Sequence, residues 1–381
     1  MPNVLIIEPQ MKQYRVPFYM KLHRALESSG IDLRVAYSAP IGADISKGDS
    51  CDLSPPIGIK VKVYQLFGGK LLFQPLLRQV ADADLVIVDQ ANKHILNSIL
   101  VGLSRLKLKK VGFWGHGRNR QGRSSSLPER IKRHTVSWVD WWFAYTSGVR
   151  EYVKCLGMRG DRITTVNNSI DTSGLRKALA EVTPSDIQSM RNELGIDERD
   201  LVGLYCGGLY PDKHLNFLIE AAILIHAKVP QFRLLVLGGG PEFPKVASAA
   251  RKKPFIAAIG PCFGSKKACC FRLASVFLMP GLVGLAVVDA FAAGLPLITT
   301  NVPIHSPEIE YLEDGVNGFM VQPDLSAYAD CVAHLLSSPD LLRRMSEGAT
   351  RSAAKYSIES MVENFRTGIV QCLTASRARA S

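Results

Sequence analysis

Three segments of the sequence place glycine or positive charge directly after a predicted strand, where a phosphate group could bind. The first is YCGGLYPDK, in which Gly207 and Gly208 follow the apolar run LVGLYC, and Lys213 precedes the helical pattern LNFLIEAAILIHAKV. Glycine allows the backbone to approach a ligand closely, and the amino end of a helix attracts anions. Alone, this pattern is equally typical of an ordinary surface loop.

The second segment is LLVLGGGPEF, in which a predicted buried strand ends in Gly238, Gly239 and Gly240. Such a turn resembles a nucleotide-contacting loop. It lacks the GxGxxG pattern of dinucleotide-binding folds, because Pro241 and Glu242 follow directly. The segment therefore disfavours a dehydrogenase, and a generic tight turn stays open as the alternative.

The third segment is PGLVGLAVVDAFAAGLP, in which Gly281 and Gly284 clear space before a predicted helix. The free N–H groups of the first helical turn could bind a diphosphate. Asp289 lies within this apolar helix, where an unpaired carboxylate would be costly, so we expect it to have a partner such as a pair of ribose hydroxyls. A salt bridge or an exposed position on the helix is the alternative.

The N-terminal half offers a histidine and several arginines. FWGHGRN places His116 at the end of a predicted strand, where ligands of open α/β sheets bind, although a lone histidine is more often structural. Arg15, Arg118 and Arg120 are candidate phosphate or acceptor contacts, because one guanidinium group can donate to two phosphate oxygens at once. Solvated surface charge is their alternative interpretation.

The elements that would position these residues form two series. Short β-rich runs alternate with amphipathic segments from VLIIEP to WWFAYTS, and again from LVGLYCGGL to LPLITT, which predicts two parallel sheets. A chain of 381 residues also exceeds one hydrophobic core. We predict a Rossmann-like domain over 1–170, a second over 171–355, and a C-terminal helix in 356–381 that crosses back to the N-terminal domain. The carboxyl ends of both sheets would then border one cleft.

Charge is distributed unevenly along the chain. Residues 1–170 hold 25 Lys/Arg and 13 Asp/Glu, whereas residues 171–381 hold 21 of each. The segment 105–133 carries ten Lys/Arg and one acid, and Trp138, Trp141 and Trp142 follow it. This pattern predicts an anionic membrane surface as a partner, unless the tryptophans belong to the core. A nucleic-acid partner would rest on charge alone, because no RNA-binding motif or zinc finger accompanies it.

Other patterns bear on location and on excluded chemistry. The N-terminus MPNVLIIEPQ is typical of a first strand rather than a signal peptide, and the eight cysteines show no CxxC spacing. We therefore expect a cytoplasmic protein, peripheral on the inner face of the membrane. Residues 273–300 are apolar enough to suggest a bilayer span, but Pro280 and several glycines favour strand and loop. Without HExxH, HxH or GxSxG, we expect no metal site and no serine hydrolase.

Together, the three glycine-containing segments resemble glycosyltransferase family 4, whose C-terminal domain carries a GRL…K loop, a GxGP turn and an EGFGLxxxEA helix. The resemblance covers most of residues 150–365 and includes VNNSID at 166–171 and PEIEYLEDGVNGFMVQPD at 307–324. Lys213, Leu285 and Asp289 match the family's lysine, leucine and second acid. Gly208 replaces the family's arginine, and Gly281 replaces its first acid, which in the family contacts the transferred sugar.

The resemblance implies a GT-B fold and a retaining transfer of sugar from a nucleotide diphosphate sugar, without another cofactor or a metal. It implies catalytic roles for His116 and Lys213, and donor binding by Gly207, Gly208, Lys213, Gly239, Gly281, Gly284, Leu285 and Asp289. The acceptor would be a saccharide or lipid-linked saccharide, as in polysaccharide or glycolipid assembly. Because the arginine and the first acid are missing, a non-catalytic nucleotide-sugar-binding subunit is the alternative.

Overall fold

The computed structural model describes residues 1–117 and 134–376, and these form two compact units. Unit 1 comprises Met1–Asp171 and Ile358–Ser381, and unit 2 comprises Thr172–Ser357. Each unit is built on a sheet in which every strand pair is parallel. The unbroken apolar runs of several strands suit this arrangement, because helices cover both faces of a parallel sheet.

The sheet of unit 1 has the strand order β3-β2-β1-β6-β7-β8-β9. Chain order reverses at β1, between β2 and β6, which is where ligands of such sheets bind. A separate antiparallel hairpin, β4–β5, pairs Tyr64 with Phe73. The strands are β1 Asn3–Gln10, β2 Asp32–Ser38, β3 Gly58–Lys60, β4 Tyr64–Leu66, β5 Leu71–Phe73, β6 Leu85–Val88, β7 Lys110–Gly115, β8 Trp141–Ala144 and β9 Ile163–Thr165.

Helices cover the two faces of this sheet with separate hydrophobic cores. One core joins α1 to the C-terminal helix α5, and the other includes residues of α2, α3 and α4. Trp142 is fully buried and Trp141 is 3% exposed, so the core interpretation holds for both, whereas Trp138 is 42% exposed. The described helices of unit 1 are α1 Val16–Glu27, α2 Leu77–Asp82, α3 Ile95–Arg105, α4 Ser147–Cys155 and α5 Ile358–Thr374, the last numbered here with its unit.

The C-terminal helix α5 is fixed to unit 1 by packing and by charge. The ring of Phe365 stacks on that of Phe143 with centroids 4.4 Å apart. The Lys110 ammonium donates to the carbonyls of Cys372 and Leu373 at 3.0 and 2.6 Å. A cation at the C-terminal carbonyls favours the helix, because these groups carry partial negative charge.

Unit 2 has a sheet of the order β12-β11-β10-β13-β14-β15, with the reversal at β10. Its strands are β10 Leu201–Cys206, β11 Phe232–Leu237, β12 Ile256–Gly260, β13 Ala274–Leu278, β14 Leu297–Thr300 and β15 Gly318–Val321. Its helices are α6 Ser173–Glu181, α7 Pro184–Leu194, α8 Leu215–Lys228, α9 Phe243–Lys252, α10 Gly264–Leu273, α11 Ala286–Ala292, α12 Leu325–Leu336 and α13 Pro339–Lys355.

The apolar stretch 273–300 folds into β13, α11 and β14 rather than one continuous helix. Pro280 and Gly281 lie in the loop after β13, consistent with the predicted break. Across the described ranges, the structure contains no helix long and apolar enough to span a membrane.

Candidate functional site

The three glycine-containing segments follow β10, β11 and β13, around the reversal of strand order in unit 2. The first two segments are joined by backbone hydrogen bonds. The Gly207 N–H donates to the Leu237 carbonyl at 3.0 Å, and the Leu209 N–H donates to the Gly239 carbonyl at 2.9 Å. Gly238 has φ +140°, and a Cβ there would lie 1.8 Å from the Gly207 carbonyl oxygen. A side chain at this position would therefore force the loops apart.

The third segment meets the first at Gly281. A Cβ at Gly281 would lie 2.4 Å from both the Asp212 carbonyl oxygen and the Lys213 carbonyl carbon. The Leu282 N–H donates to the Asp212 carbonyl at 2.8 Å. Glycine is thus needed at position 281 because the two loops touch there through their backbones. The match to the family motif, which aligns Gly281 with an acid, did not reveal this need.

Lys213 links the same two loops with its side chain. Its ammonium donates to the Leu282 carbonyl at 2.6 Å. Burial lowers the pKa of Lys213, although neighbouring Asp212 opposes this shift. The partly buried cation lies beside the Pro280–Leu285 loop, where it could balance the negative charge of a phosphate.

His305 holds this loop from the other side and was not identified from the sequence. The Val283 N–H donates to His305 Nδ1 at 3.0 Å, and His305 Nε2 lies 2.7 Å from the Thr300 carbonyl. Because Nδ1 accepts a hydrogen bond, we assign the proton to Nε2, which donates to Thr300. This histidine is 4% exposed and acts as a positioning residue. HSPE in the sequence gave no periodicity or motif that could have found it.

Asp289 forms a salt bridge within unit 2. Its carboxylate accepts from the Lys267 ammonium of α10 at 2.7 Å, and both side chains are about one-fifth exposed. Burial lowers the pKa of Lys267, but Asp289 and its neighbours raise it more, so the net shift is upward. Asp289 therefore forms the salt bridge that was the alternative interpretation of this residue. Its contact with a donor ribose stays a prediction.

The remaining donor candidates differ in how closely they are packed. Leu285 caps the short helix α11, and a Cβ at Gly284 would make an ordinary 3.4 Å contact with Ser306. At Gly208 a Cβ would lie 2.7 Å from the ring of Tyr210, which is a side chain and can move. Contact of these residues with a donor stays a prediction.

Unit 1 contains a polar cavity of about 340 Å³ at the carboxyl ends of β1, β6, β7 and β8. Glu8, Asp89, Trp114, His116 and Tyr145 are among the residues that line it. The rings of His116 and Tyr145 lie 4.5 Å apart, and His116 is exposed. The predicted strand-end position of His116 is therefore observed, next to two carboxylates that the sequence analysis did not select.

Glu8 is partly buried in the wall of this cavity. Tyr19 donates a short hydrogen bond to its carboxylate. Burial raises the pKa of Glu8 to about 7, opposed by Arg15 and Tyr19 and supported by Asp89. Such a carboxyl group can hold or release a proton near neutral pH, and it can accept a hydrogen bond from a hydroxyl group when ionised.

Arg15 is interior rather than a solvated surface charge. It is 6% exposed and donates to Asn168 at 2.8 Å and to Tyr145 at 3.2 Å, with its guanidinium 4.6 Å from the Trp114 ring centroid. Burial lowers the pKa of Arg15, but nearby tyrosines and Glu8 raise it more, so the group stays charged. Its contact with a phosphate stays a prediction, and Arg118 and Arg120 lie outside the described residues.

Comparison with known proteins covers the two units unequally. Residues 200–338, all in unit 2, match the family model described as group 1 glycosyl transferases. The alpha-monoglucosyldiacylglycerol synthase of Acholeplasma laidlawii is 23% identical over 57% of this chain and 54% of its own. A D-inositol 3-phosphate glycosyltransferase of Streptomyces griseus is 27% identical over 52% and 44%, respectively. The chain thus matches about half the length of these relatives.

Similarity of fold extends over almost the whole chain. The crystal structure of Anabaena Alr3699/HepE in complex with UDP has a TM-score of 0.69 and 14% identity, and the match covers 97% of this chain and 100% of that one. The predicted class, with two Rossmann-like domains, is therefore confirmed. Residues 200–338 thus match the group 1 glycosyl transferases in sequence, and the two units share the GT-B fold.

Proposed function

We propose that this protein transfers a sugar from a nucleotide diphosphate sugar to a hydroxyl group of an acceptor. The observation that carries the proposal is the 2.6 Å contact of the Lys213 ammonium with the Leu282 carbonyl. This contact lies at the strand reversal of unit 2, where a partly buried cation meets two closely packed glycine loops, within the segment that matches the glycosyl transferase model. Anabaena Alr3699/HepE, which shares the fold, also has a crystal structure with UDP-glucose.

Unit 2 would bind the donor, with Lys213 stabilising the leaving diphosphate. Negative charge on the diphosphate grows as the bond to the sugar breaks, so a fixed cation lowers the barrier more than it strengthens ground-state binding. Partial burial strengthens this interaction because fewer water molecules screen it. Gly208 replaces the arginine of the family, which makes Lys213 the cation of this loop on which the proposal depends.

Unit 1 would bind the acceptor in its 340 Å³ cavity. The carboxylates of Glu8 and Asp89 can accept hydrogen bonds from sugar hydroxyls, and Tyr145 offers an aromatic surface for a sugar ring. His116 would contact the reacting groups, as the resemblance implies. We propose a saccharide or lipid-linked saccharide as the acceptor, and we propose retention of anomeric configuration from the resemblance alone.

The names of the relatives support a role in glycolipid or polysaccharide synthesis. One is a glucosyldiacylglycerol synthase, and another acts as an inositol phosphate glycosyltransferase. We further propose that the protein works at the inner face of an anionic membrane, where a lipid-linked acceptor would be available.

The test combines binding with turnover. Calorimetry with UDP-, GDP- and ADP-sugars should identify one nucleotide diphosphate sugar that binds, and release of the nucleotide diphosphate should follow when acceptor is added. Proton NMR of the product would show whether the anomeric configuration is retained. If no nucleotide sugar bound and none was consumed with any acceptor, the proposal would be wrong. Binding without turnover would favour the non-catalytic alternative.

A further inference from the structure

Unit 1 has an unusually apolar exposed face formed by the β4–β5 hairpin, α2, α3 and the turns that adjoin α3. We call it the hairpin face. It carries eight of the sixteen large hydrophobic side chains that are exposed among the described residues. They are Tyr64 (44%), Leu66 (40%), Phe67 (77%), Leu77 (57%), Ile99 (40%), Leu106 (69%), Leu108 (67%) and Trp138 (42%). Apolar exposure concentrated on neighbouring elements marks an interaction site more often than scattered exposed residues do.

Contacts between the elements place these side chains on one side of the sheet. The Leu72 N–H of the hairpin donates to the Lys93 carbonyl at 2.8 Å, just before α3. Val80 of α2 and Leu100 of α3 are buried in the same core cluster, as is Val136 next to Trp138. Because α2, α3 and the turn at Val136 bury their inner faces in one core, and the hairpin is bonded to the chain just before α3, we place their outer faces on the same side of the sheet.

The charge of the hairpin face is mostly positive, although Asp82, the exposed last residue of α2, is an acid on it. The stretches 62–81 and 90–117 together hold eight Lys/Arg and no Asp/Glu. Lys109 and Lys110 are committed to backbone carbonyls, with Lys109 donating to Ala83 at 2.6 Å. Exposed cations of these stretches lie at 62, 70, 78, 93, 105 and 107. The hairpin face therefore exposes cationic and apolar side chains to solvent.

The tip of the hairpin exposes an aromatic ring at a conformational cost. Phe67 has φ +52°, in the left-handed region that a bulky residue rarely adopts, and its side chain is 77% exposed. Gly68 and Gly69 follow with φ +67° and +84°. An exposed Phe in this conformation gains little from packing, so the folded monomer gives no reason for it.

We propose that the hairpin face docks on an anionic lipid surface, with Phe67 and neighbouring leucines entering the headgroup region and the surrounding cations binding lipid phosphates. The inference rests on the proposed function only for the source of a lipid-linked acceptor. A second copy of this chain fits less well, because two such faces would bring like charges together. A nucleic acid would use the cations but would leave most of the apolar side chains without a partner.

Two variants separate the apolar and electrostatic contributions. Phe67→Asn removes the ring while keeping a residue that tolerates the left-handed region. The triple variant Lys62→Gln, Lys70→Gln and Arg78→Gln removes half of the exposed cations. Matched controls are Ile45→Asn, an exposed side chain of unit 1, and Arg251→Gln with Lys252→Gln and Arg344→Gln, exposed cations of unit 2.

Vesicle sedimentation of the full chain gives the readout, using phosphatidylcholine with or without phosphatidylglycerol at low and high salt. We expect binding to the anionic vesicles that weakens with salt, roughly a hundredfold weaker in the triple variant and about tenfold weaker in Phe67→Asn. The controls should bind as the parent does. Equal binding of the parent to both lipids, binding to neither, or equal losses in the controls would overturn the inference.

Two further measurements keep the result specific. Analytical ultracentrifugation without lipid should give the same mass for the parent and Phe67→Asn; a dimer lost only in the variant would assign the hairpin face to a second copy instead. Nucleotide-sugar binding by calorimetry should be equal in all variants, because none lies in the glycine-containing loops after β10, β11 and β13, which are proposed to bind the donor and are called the donor loops below. A parent that binds donor but no vesicles contradicts the docking inference and the membrane location proposed with the function, and leaves the proposed sugar transfer intact. A parent that binds vesicles but no nucleotide sugar contradicts only the proposed sugar transfer.

Discussion

The donor loops of unit 2 and the polar cavity of unit 1 are built in opposite ways. In unit 2, Gly238 and Gly281 allow one backbone to press against another, and Lys213 supplies a single cation at their junction. In unit 1, side chains such as Glu8, His116 and Tyr145 line a cavity of about 340 Å³. Backbone contacts of the first kind suit a diphosphate, which is common to many donors, whereas side chains of the second kind can vary with the acceptor.

The difference explains where sequence similarity is found. Where a Cβ would lie only 1.8 Å from a neighbouring backbone atom, as at Gly238, most other residues are excluded by space. A side chain that lines a cavity can be exchanged without such a penalty. The family model accordingly matches residues 200–338 in unit 2, while the fold of both units is shared with Anabaena Alr3699/HepE.

The largest effect expected on activity is that of Lys213→Ala. Removing the cation beside the Leu282 carbonyl should raise the barrier to transfer by about 2–4 kcal/mol, because it stabilises charge that develops on the leaving diphosphate. Steady-state kinetics should show a fall in kcat at saturating donor. Near-parental kcat would mean that the donor loops of unit 2 do not depend on this lysine.

Glu8→Gln tests the cavity of unit 1 through pH. In the folded protein the pKa of Glu8 is raised by burial to about 7, against 4.5 for an ordinary glutamate. Between these values the folded chain holds a proton that the unfolded chain releases, so the stability contributed by Glu8 falls as pH rises and is lost above about 7. The total change would be at most about 3 kcal/mol.

The measurement is urea unfolding on either side of that pH window, followed by tryptophan fluorescence. All four tryptophans belong to unit 1, so the signal reports the unit that contains Glu8. The unfolding free energy of the parent should fall relative to that of Glu8→Gln as pH rises, because Gln cannot ionise, whereas exposed Glu27→Gln should follow the parent. A difference that is independent of pH would contradict the raised pKa.

Gly281→Ala tests whether backbone contact defines the donor loops. A methyl group 2.4 Å from Asp212 and Lys213 atoms must displace one loop, which should cost about 1–3 kcal/mol of stability and weaken donor binding. Gly174→Ala is the control, because no atom lies within 4 Å of its Cβ position in a helix of the same unit. Calorimetric unfolding and donor titration should show a loss of stability and of donor affinity in Gly281→Ala but not in Gly174→Ala. Equal stability and affinity in both variants would mean that the loop can move without a free-energy cost.

The sequence predicted those features that local patterns specify. Alternating strands and amphipathic segments predicted two Rossmann-like domains, and the glycine segments led to loops that contact one another in unit 2. His305 was missed because its role depends on hydrogen bonds to Val283 and Thr300, 22 and 5 residues away. Glu8 and Asp89 were missed because only the pairing of β1 with β6 brings them to one cavity. Such long-range proximity has no periodic signature.

The smallest expected effect concerns Asp289, which forms a salt bridge with Lys267. If Asp289 also binds the donor ribose, Asp289→Asn should weaken nucleotide diphosphate binding by about tenfold, as expected for a hydrogen bond to a charged group. Lys267→Met, which removes only the partner of Asp289, should weaken nucleotide diphosphate binding less.

His116→Ala should leave nucleotide diphosphate binding unchanged and lower turnover, because His116 lies in unit 1. Titration of the three variants with UDP would decide between the two roles of Asp289. Equal, small losses in Asp289→Asn and Lys267→Met would reduce Asp289 to a salt bridge between α10 and α11, leaving the donor loops defined by Lys213 and the glycines.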